Sequence, residues 1–125
     1  MAVIKNIEID GREVPFKASA ALPRIYRARF GRDIITDFDG IMTEMAGEDP
    51  SLSSLTPQTL ERFEDIAYTM AKYADPTIPE SAEDWLECFN TFSIYLIFPQ
   101  LTELWGLNTR TEAEAKKNLS QAIGH

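Results

Sequence analysis

Between Thr56-Pro57 and Asp75-Pro76, apolar residues recur at Leu60, Phe63, Ala67, Met70 and Ala74, with Ile66 widening the stripe. Steps of three and four residues place these side chains on one side of an α-helix; a strand would bring side chains to one face every second residue. Thr56 suits the N-cap, Pro57 the first helical position, and Asp75-Pro76 the stop. A long helix with one apolar stripe needs other elements to cover that stripe. The opposite face, with Glu61, Glu64, Asp65 and Lys72, is expected to be solvated.

The covering elements are also predicted to be mostly helical. LPRIYRARF places Leu22, Tyr26 and Phe30 one turn apart, with Pro23 in the first turn and Gly31 as the C-terminal cap. A helix from Asp33 to about Met45 carries Ile34, Ile35, Phe38, Ile41, Met42 and Met45. A loop rich in Gly, Asp, Pro and Ser spans 47–54. A fourth helix opens at the cap Ser81, with Asp84 three residues on. Trp85, Leu86, Phe89, Phe92, Leu96 and Ile97 are expected to face inward along it, with a kink or split at Pro99 before it continues to Gly106. A last helix, 111–123, opens on the capping box Thr111/Glu114 but offers little apolar surface, so alone it would be marginal.

Only the first residues read as β-structure. VIKNIEI and REVPF flank Asp10-Gly11, a strong two-residue hairpin signal. Pro15 cannot donate to a ladder, which suits an edge strand. A lone hairpin is marginal in water, so this one either packs on the helices or pairs with another copy. The expected fold class is mainly α with a small N-terminal hairpin (α+β): one domain over residues 1–125, with the hairpin at 3–18 and a helical core at 20–105 in a bundle of about five helices.

The uncharged run at residues 88–102 is 15 residues long and contains Pro99. A bilayer span needs about 20 apolar residues, so this reads as core helix. MAVIKNIEID lacks the basic and apolar regions of a secretory signal. The single cysteine, Cys88, allows no disulfide framework and suits a reducing cytoplasm; within a helix beside Phe89 it is expected to be a buried structural thiol.

Charge is unevenly distributed. Residues 1–32 hold seven basic groups against three acidic ones, a balance of +4; residues 33–125 hold five against seventeen, a balance of -12. Arg24, Arg27, Arg29 and Arg32 fall within nine positions. A nucleic-acid binder needs a basic domain or a basic face interleaved with free aromatics. Here Tyr26 and Phe30 belong to the apolar stripe, and twenty acids would repel phosphates. The arginines are therefore expected to bridge to acidic helices, within one copy or between copies.

Enzyme chemistry has little support. The only histidine is the last residue, His125, which removes the commonest general base and most metal-ligand sets. No glycine-rich phosphate loop or nucleophile elbow is present. Asp37-Phe38-Asp39-Gly40 resembles part of a calcium loop, but Ile35 and Ala46 would occupy its end positions and cannot ligate. No catalytic residue, cofactor or metal is expected. The aromatics Trp85, Phe89, Phe92, Tyr95, Phe98 and Trp105 fall within 21 residues. Such density suggests either a generous core or an apolar partner-binding groove.

IDGREVPFKASAALPRIYRARFGRD and FEDIAYTMAKYADPTIPESAEDWLECFNTFSIYLIFPQLTELWGLN resemble the tail assembly chaperones of long-tailed (siphovirus) phages and prophages of Gram-positive hosts. The similarity runs from about Ile7 to Lys117 and rests on the ordered phrases IDG, PRIYRARFGRD, AYTMAKYADP and LTELWGLN. Leu22 departs from it, because a hydroxyl cap would be expected before Pro23. The resemblance implies a non-enzymatic protein of the host cytoplasm that binds the tape-measure protein. It would keep that client soluble while tail-tube subunits assemble around it, and it would be absent from the virion. Further implied partners are a longer frameshifted form of the same chain, for which Lys117-Asn118 permits a slippery AAA AAC, and tail-tube protein indirectly. A homo-oligomer presenting Trp85, Phe89, Phe92, Tyr95, Phe98 and Trp105 to the client, joined through Arg24, Arg27, Arg29 and Arg32, fits both lines of reasoning. Alternatives are a small DNA-binding or DNA-mimicking regulator, or a tail component retained in the virion.

Overall fold

The computed structural model describes residues 2–45, 56–90 and 93–106. The expected loop at 47–54, the expected helix at 111–123 and Phe92 lie outside them. The fold is the expected α+β arrangement: among the described residues, a two-stranded antiparallel hairpin lies on a compact set of five α-helices.

β1 (Val3–Ile9) and β2 (Arg12–Ala18) pair from Val3↔Ala18 to Ile9↔Arg12. Asp10 and Gly11 turn the chain with φ of 54° and 79°. Two successive left-handed residues make the turn whose twist matches that of the strands, and Asp-Gly tolerates them best. Alternation then buries Ile7, Ile9, Phe16 and Ala18 on one face and leaves Glu8 and Glu13 in water. Of the two ways to shelter that face, the chain uses its own helices: β2 lies along the third helix.

α1 (Leu22–Phe30) buries Leu22 and Tyr26 and ends on Gly31, whose φ of 70° lets its N–H reach the Arg27 carbonyl at 2.8 Å. No side chain caps its first turn from the N-cap Ala21. Ser19 partly takes that role: its Oγ accepts from the Ala21 N–H and its carbonyl accepts from the Leu22 N–H.

α2 (Ile34–Met45) turns Ile34, Phe38 and Ile41 inward. α3 (Pro57–Ala74) is capped as its sequence predicts, the Thr56 hydroxyl accepting from the Thr59 N–H at 3.2 Å. The Glu44 carboxylate of α2 adds to this end by accepting from the Thr56 N–H at 2.6 Å. Thr56→Ala should cost about 1 kcal/mol of unfolding free energy, read from the urea midpoint. An unchanged midpoint would show that Glu44 alone satisfies this end.

α3 is the central element, touching β2, α1, α2 and the short α4 (Ala82–Leu86). It therefore buries more than the expected stripe: Asp65, Tyr68, Thr69 and Ala71 are covered as well. The solvated face predicted for Glu61, Glu64, Asp65 and Lys72 is corrected at Asp65, because α1 and α2 close over that side, and at Lys72, whose side chain is 12% exposed and donates to the Pro76 and Ile78 carbonyls.

The fourth helix is the main departure. Ser81 caps it, accepting from the Asp84 N–H at 3.1 Å, but α4 closes at Leu86 in tight i→i+3 turns at Cys88 and Phe89. A 3-10 turn, Ser93–Ile97, leads into α5 (98–106). Pro99 does not kink a helix; it sits in the first turn of a new one, where its missing N–H costs nothing. The break has a tertiary cause. The Asp10 carboxylate accepts from the Asn90 N–H at 2.8 Å, from the Asn90 side chain at 3.2 Å and from the Ser93 hydroxyl, tying Asn90 and Ser93 to the hairpin tip. These bonds, with Ser93 the strongest, hold the Asp10 carboxyl below its ordinary pKa. Two inward expectations fail with the long helix: Leu96 is 71% exposed, and Cys88 is an exposed thiol, not a buried one. No helix among the described residues is long and apolar enough to cross a membrane.

Candidate functional site

The four clustered arginines separate into two that are engaged within the fold and two that face out. Gly31 turns the chain so that Arg32 points back between α1, α2 and α3. Its Nε donates to Asp37 Oδ2 at 2.8 Å, and its Nη2 donates to Asp65 Oδ2 at 2.6 Å and to the Tyr26 hydroxyl at 2.9 Å. Tyr26 in turn donates to Asp37 at 2.6 Å, and Arg62 stands 3.6 Å from the other Asp37 oxygen. Burial and the bond to Asp37 push the Tyr26 hydroxyl well above its ordinary pKa. Burial disfavours the Arg32 charge, but the bonds to Asp37 and Asp65 outweigh it and hold the guanidinium protonated. Burial also raises the Asp65 carboxyl, an effect the Arg32 bond only partly offsets. Arg32 is thus a cross-link within the fold, which corrects its expected place at an oligomer contact.

Arg29 is also internally engaged, lying 5.2 Å from the Tyr68 ring centroid and reaching the Glu80 carbonyl at 3.4 Å. Lys5, Arg12, Lys17, Arg62 and Lys72 each have an ion-pair, carbonyl or ring partner within the chain. Arg24 and Arg27 are exposed and have no hydrogen-bonding, ionic or ring partner among the described residues.

The expected aromatic groove resolves into two separate packing sites. Trp85 is 2% exposed, edge-on to Phe16 at 6.3 Å and to Phe89 at 5.0 Å, and 5.8 Å from Tyr68. As a partner contact Trp85 is therefore corrected: it is core, covered where β2, α3 and α4 meet. Tyr95, Phe98 and Trp105, all partly buried, pack elsewhere. Trp105 stacks on Phe38 at 5.1 Å, Phe98 lies against Phe38 and Phe63, and the Tyr95 hydroxyl donates to Glu64 at 3.1 Å.

Two concavities lined by described residues bear on partner binding. A crevice of about 180 Å3 between β2, the end of α3 and α4 is walled by Val14, Pro15, Ile78, Trp85 and Phe89, with Arg12 and Cys88 beside them. The Arg12 guanidinium is already committed there, donating to the Cys88 carbonyl at 2.7 Å and lying 5.4 Å from the Phe89 ring. A groove of about 460 Å3 runs between α3 and α4, with Glu61, Glu64, Asp65, Glu83 and Glu87 around Ala82 and Leu86. Burial, together with the charges of Asp65 and Glu61, raises the Glu64 carboxyl.

The exposed apolar surface lies where the sequence reading did not place it. Ile35 is 58% exposed and Met42 39%, seven residues apart on α2. Ile34, Phe38 and Ile41 already account for the inward stripe, so Ile35 and Met42, each about 100° further round, fall outside it. That arithmetic was available from the sequence. Among the described residues no group of three His, Cys, Asp or Glu side chains could hold a metal ion. Comparison with family models, curated proteins and solved structures returns no match for this chain.

Proposed function

We propose that this chain is a phage tail assembly chaperone, acting in the host cytoplasm to keep the tape-measure protein soluble while tail-tube subunits assemble around it. The sequence phrases that resemble that family motivate the reading. The observation that carries it in this fold is the open face of α2. Ile35 and Met42 stand two turns apart, about 10 Å along the helix axis, at the one-heptad repeat of a long helical client with a continuous apolar seam. A branched aliphatic and a flexible thioether make an adaptable contact, suited to many similar sites rather than one fixed sequence. Each contact is small; a client bearing many seams and an oligomer bearing many α2 faces would hold together through avidity. The longer frameshifted form would couple the same surface to tube protein.

Co-expression with a candidate tape-measure protein tests this. The wild-type chain should move the client from the pellet to the soluble fraction. Ile35→Asp/Met42→Asp should reduce that soluble fraction severalfold; Ile35 is 58% and Met42 39% exposed, so the chaperone's own thermal midpoint should fall only slightly, and the comparison is made at a temperature where both proteins are folded. If the wild-type chain fails to solubilise the client, the chaperone reading is wrong. If the double variant works as well as wild type, the client binds elsewhere on the surface.

A further inference from the structure

We propose that the outward face of α1 docks in the α3–α4 groove of a second copy of this chain, joining subunits head to tail. The inference is independent of what the client is. Arg24 and Arg27 lie one turn apart on α1, about 60° apart in projection, and Ala28 falls about 40° beyond Arg24 on the other side. All three are exposed, so this face is two neighbouring long cations flanked by a small side chain. The other basic side chains among the described residues have partners inside the subunit.

The groove presents the complementary half. Asp65 is committed to Arg32 and Glu64 accepts from Tyr95. Glu61, Glu83 and Glu87 have no cation among the described residues. Glu83 of α4 and Glu87, its C-cap residue, are spaced one turn apart, as Arg24 and Arg27 are along α1. The apolar floor, Ala82 and Leu86, suits the methylene stems of arginines whose heads reach the carboxylates at the rim. Seating them there would also supply positive charge beside Glu64, whose carboxyl is raised partly by neighbouring negative charge.

The two surfaces lie on different elements, so one copy's face and another's groove form a heterologous contact. Such a contact leaves one face and one groove free at the ends of every pair, and it grows into a chain unless it closes into a ring. Exposed charges dominate the contact, so it is weak and screened by salt.

Light scattering across a concentration series provides the test. In buffer of about 0.05 M ionic strength the wild-type mass should rise with concentration, and it should fall toward that of one chain at about 0.5 M. Arg24→Glu/Arg27→Glu and Glu83→Arg/Glu87→Arg should each remain monomeric alone, because both place like charges across the contact. Mixed in equal amounts they should associate again, each face now meeting an opposite groove. Circular dichroism checks that each variant is folded; if a reversal is not, Arg24→Gln/Arg27→Gln should still weaken association. A wild-type mass that stays at one chain, association that survives either folded reversal, or a mixture that stays monomeric would overturn the proposal.

Discussion

Trp85→Ala should destabilise the domain by about 3–5 kcal/mol, a large share of the stability a domain of this size has. The indole is 2% exposed and is the piece around which three elements close: Phe16 from β2, Tyr68 from α3 and Phe89 just beyond α4 all touch it. Its removal costs the transfer of a large apolar surface and leaves a void that neighbouring rings cannot fill without moving the hairpin. The adjoining crevice of about 180 Å3 is open to solvent, so the void becomes wet rather than collapsing. Trp85→Phe retains a ring against Phe16 and should cost clearly less. Urea unfolding followed by far-ultraviolet circular dichroism gives both numbers. Any loss of client binding in Trp85→Ala should track the unfolded fraction; a folded variant of wild-type stability that failed to bind would return Trp85 to the partner surface.

What the sequence made legible was local. The Asp10-Gly11 turn, the Gly31 cap, the Thr56 and Ser81 caps and the Asp75 stop each depend on residues within a turn of one another, and all of them appear where expected. What it hid depends on partners far along the chain. Asp10 reads as a turn residue, yet its carboxylate also captures Asn90 and Ser93, and that capture ends a helix that apolar periodicity alone would have continued. Asp65 reads as solvated because its own helix carries acids beside it; only the arrival of Arg32, thirty-three positions earlier, makes its burial tolerable. The dense aromatics looked like more than one helix could hide. Splitting that helix distributes them over two sites, on Phe16 and Tyr68 and on Phe38 and Phe63. Among the described residues the exposed large apolar side chains are then aliphatic or thioether: Ile4, Ile35, Met42 and Leu96.

Arg32→Ala is expected to be the most damaging single charge change, at about 3 kcal/mol. Removing one member of a buried ion pair typically costs about 3–5 kcal/mol because the other is left charged and unpaired. The lower end applies here, since the Arg32 side chain is 34% exposed and water can partly take its place. Asp37 and Asp65 have no such access, with side chains 7% and 10% exposed. Arg62 can still reach Asp37, but Asp65 loses its only ion pair among the described residues. The sign of the pH dependence follows. Burial already lifts Asp65 above its ordinary 3.8, so the folded state holds that proton more tightly than the unfolded chain does. Ionised Asp65 therefore works against folding, and that penalty disappears as the pH falls through its folded-state pKa. Without Arg32 the lift is greater and the penalty extends to higher pH. The stability gap between wild type and Arg32→Ala should be widest near neutrality and should narrow as the pH is lowered toward the carboxylate range. Arg32→Lys should fall between the two, keeping the charge but losing the fork that reaches Asp37, Asp65 and Tyr26 together. Urea midpoints of the three proteins across that pH series decide it: a gap that stays constant with pH would mean that the loss of Arg32 is felt through packing against Tyr26 and Phe30, not through the carboxylates it neutralises.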